Sequence, residues 1–410
     1  MLTLNNMQPQ QFTKPFYIFF LVIPAGISIG FATVTLPYLL TKNGFTVAEA
    51  STIVAIGASA HLWRFLWGPI ADLTLSLRKW FWIGTSLSSI ALLILCFTPF
   101  TKNGAVLLTS VVFISQVAAT FILLPVGGFM AHRIENLQKG RAAGWYQAGN
   151  LGGVGLGGGA GLWLATHYSI PIAGIALVTG SLLFSFVIQL IADVQSNKDN
   201  TIVQEVKTMG ASIVSMIKVP IALFVIIMIT MPIGTGALAN IWSAVATDWK
   251  TDGDTVALVT GITSGLVSAI GCIAGGVIAD RWGVWVAYLG SGIVCALVNI
   301  VMALFPYQPI VYIIGVLAYA FGTGLIYAAF SAVILFAIGK KAAATKYSML
   351  SSLGNVPVVF MTVVNGWVHD KYNSKYMLLA EAAIGILFII ICAIVLQRMF
   401  AKKQILASIE

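Results

Sequence analysis

Charged residues make up 9% of the 410 residues, so the few that fall inside apolar runs stand out. Arg64 lies in such a run, with His61 three residues before it, Gly68 four after and Asp72 eight after, a spacing that puts all four on one face of an α-helix. An arginine keeps its charge at any accessible pH and offers a planar fork of donors that fits a carboxylate or phosphate. At membrane depth such a group is a functional candidate by default. Arg64 therefore reads either as the holder of an anion or as a tie to backbone carbonyls or to Asp72, and the residues alone leave both open. His61, able to titrate near neutral pH when free, reads first as a packing residue.

Other chemistry finds no constellation. The histidines, His61, His132, His167 and His369, lie in separate segments without an HExxH pattern. Ser59 and His61 are two residues apart and point to different faces of a helix, which does not suit a nucleophile and its base. Cys96, Cys272, Cys295 and Cys392 sit in apolar runs with no paired spacing and read as small packing hydrophobes. Gly155 to Ala160 fits a dinucleotide-binding glycine pattern, but that pattern needs a preceding strand and a phosphate at a helix start. No enzyme, metal or cofactor is expected.

The elements that must position Arg64 are membrane helices. Hydrophobic residues make up 59% of the chain, and apolar runs long enough to cross a bilayer, about 20 residues each, begin near Phe16, Val47, Trp80, Ala105, Arg141, Ser169, Val219, Thr255, Trp285, Pro309, Ala342 and Tyr376. Twelve such runs predict an all-α integral membrane protein. Turn formers and charge coincide at Lys42-Asn43-Gly44, Lys102-Asn103-Gly104, Asp252-Gly253-Asp254 and Lys371-Tyr372-Asn373. The longest polar stretch, residues 193–218, reads as a cytoplasmic linker between a six-helix bundle over 1–192 and a second over 219–410. With the amino terminus inside, 16 of the 22 Lys and Arg residues fall on the cytoplasmic side, as the positive-inside rule asks of a multi-pass protein with both termini cytoplasmic. The net charge of +9 is spread over these loops and does not form the basic patch of a nucleic-acid binder.

Two sequence features repeat or align. Gly68-Pro69-Ile70-Ala71-Asp72 ends the second run, and Gly276-Val277-Ile278-Ala279-Asp280-Arg281-Trp282-Gly283 ends the eighth, a repeat of the kind that marks transporter halves. In the fifth run Gly149, Gly153, Gly157 and Gly161 form a stripe at four-residue spacing, with a partial counterpart in Gly261, Gly265, Gly271 and Gly275. Small residues at this spacing let membrane helices pack closely.

The repeated GxxxD with following basic residues resembles the signature of the major facilitator superfamily; the second copy matches well, whereas the first places Leu73 to Leu77 before Arg78-Lys79. The resemblance implies two pseudo-symmetric six-helix bundles that alternate access to a central small-molecule site, with the fifth and eighth helices facing each other across the bundles. It also implies an inner gate. Asp72 would face the start of the eleventh helix near Ala344 and Thr345, and Asp280, with Arg281 beside it, the start of the fifth near Arg141 and Ala142, each carboxylate held by a helix amino terminus.

The family's cavity-lining helices supply candidate substrate contacts beside Arg64 (Gln116, Asn240, Trp242, Tyr319 and Tyr327), and the fifth and eleventh helices add Tyr146, Asn150 and Asn355, a mix of aromatic and hydrogen-bonding groups suited to an amphipathic organic solute. No carboxylate lies at mid-depth in those helices, and Glu381, early in the twelfth, reads as solvated near the outer surface. A proton is therefore a candidate coupling ion without an evident relay. Trp63 to Asp72 and Gly140 to Gly153 are similar to a branch that holds muropeptide permeases, acetyl-CoA transporters and siderophore-uptake permeases, in which a basic residue commonly stands at the place of Arg64. Muropeptide members carry Gln-Asp where this chain has Gln116-Val117. The expected function is uptake of a siderophore-like or other anionic solute by a monomer in a bacterial-type inner membrane, with a drug or metabolite exporter as the alternative.

Overall fold

The computed structural model describes residues 12–67, 74–135, 138–195, 202–338 and 343–407. These residues form helices joined by short connections, with no strand among them. In chain order, α1 is Tyr17–Lys42, α2 is Val47–Ser59 carried on by 3-10 turns over Ala60–Leu62 and Arg64–Trp67, α3 is Leu77–Phe97 and α4 is Ala105–Arg133. Next come α5 (Lys139–Gly155 through Gly161–His167), α6 (Ile170–Ser185) and a linker helix (Ile202–Ile217). The second half holds α7 (Pro220–Ile229, then short turns to Trp249), α8 (Gly253–Val256 through Ser264–Trp282), α9 (Val284–Leu304), α10 (Pro309–Ile338), α11 (Ala343–Leu353 and Asn355–Lys371) and α12 (Ser374–Ala407). Each begins within three residues of the start expected from hydropathy.

Among the described residues nine helices are long and apolar enough to span a membrane; α2, α5 and α7 complete the set of twelve by other routes. Regular α2 ends at Ser59 and narrows into 3-10 turns. Side chains three apart eclipse in a 3-10 turn, so His61 and Arg64 keep to one side although the α-helix expected to carry them has ended. Gly68 and Asp72 lie outside the described residues. Helix α5 is glycine-rich and so less apolar. Helix α7 breaks where Gly234 and Gly236 adopt left-handed φ values of 54° and 74°, a conformation that costs a side-chained residue far more than glycine.

Three helices each carry a wide π turn: Phe31–Thr35 in α1, Leu156–Ala160 in α5 and Ala257–Thr263 in α8, and the three turns touch one another. A π turn leaves carbonyls without their usual partner. Hydroxyls add further donors at the turns, although Gly158 O and Val259 O also accept the backbone N–H of Gly161 and Ser264. Thr35 donates to Gly157 O and Gly158 O at 3.0 Å each, and Ser264 donates to Val259 O at 2.7 Å.

The apolar core has three parts. The largest mixes both halves, packing Phe31, Tyr38 and Phe45 with Leu238, Trp242, Trp249 and Tyr312. It fills the end of the molecule bounded by the connections at Asn43, Asn103, Asp252 and Tyr372, which we term the closed end. Toward the linker the halves part: one core is drawn from Ile18 to Ile191 alone, the other from Met216 to Leu396 alone. Among the described residues the apolar core is shared by both bundles at one end and split between them at the other.

Candidate functional site

The 3-10 turn after α2 carries Arg64 to the boundary between the halves. Its guanidinium reaches Ser351 Oγ on α11 at 3.4 Å and stands near the Tyr146 hydroxyl on α5. His61, one turn away, meets Gln116 on α4, and Gln116 donates to Ser28 O at 3.2 Å on α1. Arg64, Gln116 and Tyr146, predicted separately, thus belong to one polar cluster, joined from the second half by Ser351 and by Tyr347, whose hydroxyl bonds Ser331 at 3.0 Å.

The other predicted contacts lie elsewhere. Asn240 donates to Thr362 Oγ1 at 3.1 Å, and Trp242 is 1% exposed within the closed-end core, its ring centroid 5.6 Å from that of Tyr319. Asn355 turns back on its own helix, to Ser351 O and Ser352 O at 3.2 Å. Tyr327 is exposed and Asn150 half-buried.

Glu381 corrects the sequence reading. It is 7% exposed, accepts from the Tyr319 hydroxyl at 2.7 Å, and is bonded by the amide of Asn365, itself fully buried. Seven residues into α12, the side chain is roofed by α9, α10 and α11 and not solvated. Asn365 carried no signal of its own, since a single amide in an apolar run reads as packing.

The glycine stripe has a different neighbour from the one expected. Gly149, Gly153 and Gly157 lie against the backbone of α1, and a Cβ on Gly153 would stand 2.8 Å from Gly26 Cα. Gly161 faces Thr35 and Leu177. The crossing between bundles uses the glycines offset by two: Gly155 faces Ile262, and a Cβ on Gly159 would stand 2.7 Å from Ala257 O. On α8, Gly261 and Gly265 meet α5, whereas Gly271 and Gly275 meet α10.

A latch of the expected chemistry, a carboxylate on a helix start, is formed at the closed end. Asp370, near the end of α11, accepts from Val47 N at 3.1 Å and Ala48 N at 2.8 Å at the start of α2. Thr46 and Glu49 cap the same start reciprocally, so the four unpaired amides of the helix start are satisfied, two of them from the other bundle. His369 bridges Asp370 at 3.1 Å and Asp248 at 2.8 Å, and His167 on α5 stands 3.7 Å from Asp254 on α8. The adjacent His369-Asp370 pair at the end of an apolar run was the available signal. At the linker end Arg141, Asp280 and Arg281 are exposed. Added Cβ atoms at Gly144 and Gly276 would meet nothing within 4 Å.

Two bundles joined by a mixed apolar core at one end, with a polar cluster at their boundary further along, have the architecture of a membrane transporter. The Major Facilitator Superfamily model matches residues 18–362, and the chain belongs to that superfamily. Solved structures share the fold: a D-xylose-proton symporter (13% identity, TM-score 0.70, 92% of this chain and 96% of that one) and a point mutant of the nucleoside transporter NupG (13%, 0.72, 93% and 99%). A POT family transporter in complex with 5-aminolevulinic acid is alike to the same degree (13%, 0.70, 92% and 95%). No curated protein matches the chain in sequence. It is a multi-pass membrane transporter of small solutes, not an enzyme.

Proposed function

We propose that the chain takes up an anionic or amphipathic organic solute of siderophore-like size across a bacterial-type inner membrane, with both termini and the linker in the cytoplasm. The closed end then faces outside, and the structure is the inward-facing state. Arg64 carries the reading: a guanidinium between the halves, near Tyr146 of α5 and reaching Ser351 of α11, can feel a bound anion and pass the change to both bundles. The bias of Lys and Arg toward the linker-side loops supports the orientation. One chain holds the whole cluster, so a monomer is the proposed unit.

Arg64→Lys should keep part of the binding as a point charge. Arg64→Gln should weaken it roughly ten- to a hundredfold, the equivalent of about 1.5 to 3 kcal/mol for a charge-assisted hydrogen bond. Equilibrium binding of a carboxylate-bearing ferric siderophore to purified protein, with a neutral peptide, a nucleotide and a lipophilic cation as comparisons, tests this together with uptake into vesicles. Unchanged binding in Arg64→Gln with slowed transport would assign Arg64 to the gate instead. The exporter reading gains from Glu381: proton antiport calls for an intramembrane acid, and one is buried here.

A further inference from the structure

Glu381 plays no part in the solute cluster around Arg64. Its bonded partners among the described residues are neutral. Helix α10 presents Tyr319, α11 presents Asn365, and α9 presents the Cys295 thiol, close enough to feel the carboxylate's charge. Charged groups stand at the closed end, where Asp248 is bonded to His369 and to Ser374 at the start of α12. From Ser374 to Glu381 is seven residues, about 10 Å of helix. An ionised carboxylate held by two neutral donors is costly to keep in such a place.

The partners suit both forms of the acid. The Tyr319 hydroxyl donates to the carboxylate and also lies within reach of the Leu238 backbone, just past the break in α7. Asn365 turns its Nδ2 to Glu381 while its Oδ1, also buried, has no partner. The two ends of an amide exchange by a half-turn. In one orientation Asn365 donates to a carboxylate, and in the other it accepts from a neutral carboxyl group. One helical turn further along α11 stands His369, bonded to Asp248 and Asp370 in the closed-end latch.

We propose that Glu381 is the proton-binding site of this transporter, loaded from the closed end through the His369 cluster when that end opens. Loading forms one O–H bond on a carboxylate oxygen with a proton delivered from water, removes one negative charge, and turns Asn365 over. Tyr319, released from a carboxylate to a neutral acid, passes the change to the α7 break and to Trp242 against it. The proposal rests on the transporter reading but not on the identity of the solute.

The experiment is an infrared pH titration of the purified, solute-free protein, following the protonated-carboxyl band, beside thiol labelling of a cysteine placed at Gly276. Wild type should show a titrating buried carboxyl whose protonation changes the labelling rate. Glu381→Gln should lose that band, and its labelling should no longer respond to pH. Tyr319→Phe, which removes a donor to the ionised form, should move the titration to higher pH, and it serves where the Gln variant fails to fold. A band unchanged by Glu381→Gln, or a titration unmoved by Tyr319→Phe, overturns the proposal. Failure of the solute reading looks different: the ferric siderophore would not bind while the Glu381 titration stayed intact.

Discussion

The two ends of the molecule use the same helices in opposite ways. At the closed end α2 meets α11 through Asp370 and α5 meets α8 through His167 and Asp254; at the linker end the residues expected to join α5 and α8, Arg141 and Asp280, are both exposed. The sequence motif marks only the second set of contacts. The first shows that a carboxylate on a helix amino terminus is the fastener here too, used at the other end of the same pair of helices. A transporter that swaps ends needs contacts of comparable strength at both, and only one set can form at a time.

The largest test of that contrast separates packing inside a bundle from packing between bundles. Gly157→Leu drives a side chain into the backbone of α1 and should destabilise the first bundle by more than about 3 kcal/mol, the upper range for overpacking, read as loss of folded protein in size-exclusion and thermal melts. Gly155→Leu meets Ile262 across the bundle interface and should leave folded protein that no longer transports. Equal folding yields for the two would remove the distinction drawn between the stripes.

Next in size is the latch. Asp370→Asn leaves two amides at the start of α2 with a weaker partner, a loss of about 1 to 2 kcal/mol, or a roughly five- to thirtyfold shift away from the closed-end-sealed state. Spin-label distances between the Asn103 and Tyr372 connections should lengthen. No change would mean that the mixed core alone seals this end. The smallest effect belongs to Asp280→Asn. Its carboxylate is exposed here, so the substitution acts only on the opposite state and should raise the population of the present one by a few-fold at most, detected as faster labelling of a cysteine at Gly144.

Helix starts were legible because hydropathy and turn residues are local properties, and each falls within three residues of its expected place. The glycine stripe was legible as close packing but not as to its partner, since α1 and α8 approach α5 on faces only two residues out of step. Arg64 was identified as a candidate through its rarity, and it stands on 3-10 turns where a continuous α-helix was expected. Glu381 was misjudged because seven residues from a helix start measures distance along one axis only. Whether water reaches that depth depends on α9, α10 and α11, which are remote in sequence. Asp370 was missed for the same reason, its partners lying 322 and 323 residues away.

The three wide turns that meet in α1, α5 and α8 carry a further consequence. A wide turn holds one residue more than its neighbours, and it can travel along a helix by exchanging one hydrogen bond at a time. Each step of one residue re-aims the side chain it passes by about 100° around the axis. The Thr35 and Ser264 hydroxyls bond carbonyls of these turns where they now stand. Rocking at this crossing thus need not bend any helix. It can proceed as a change of phase in three screws threaded against each other.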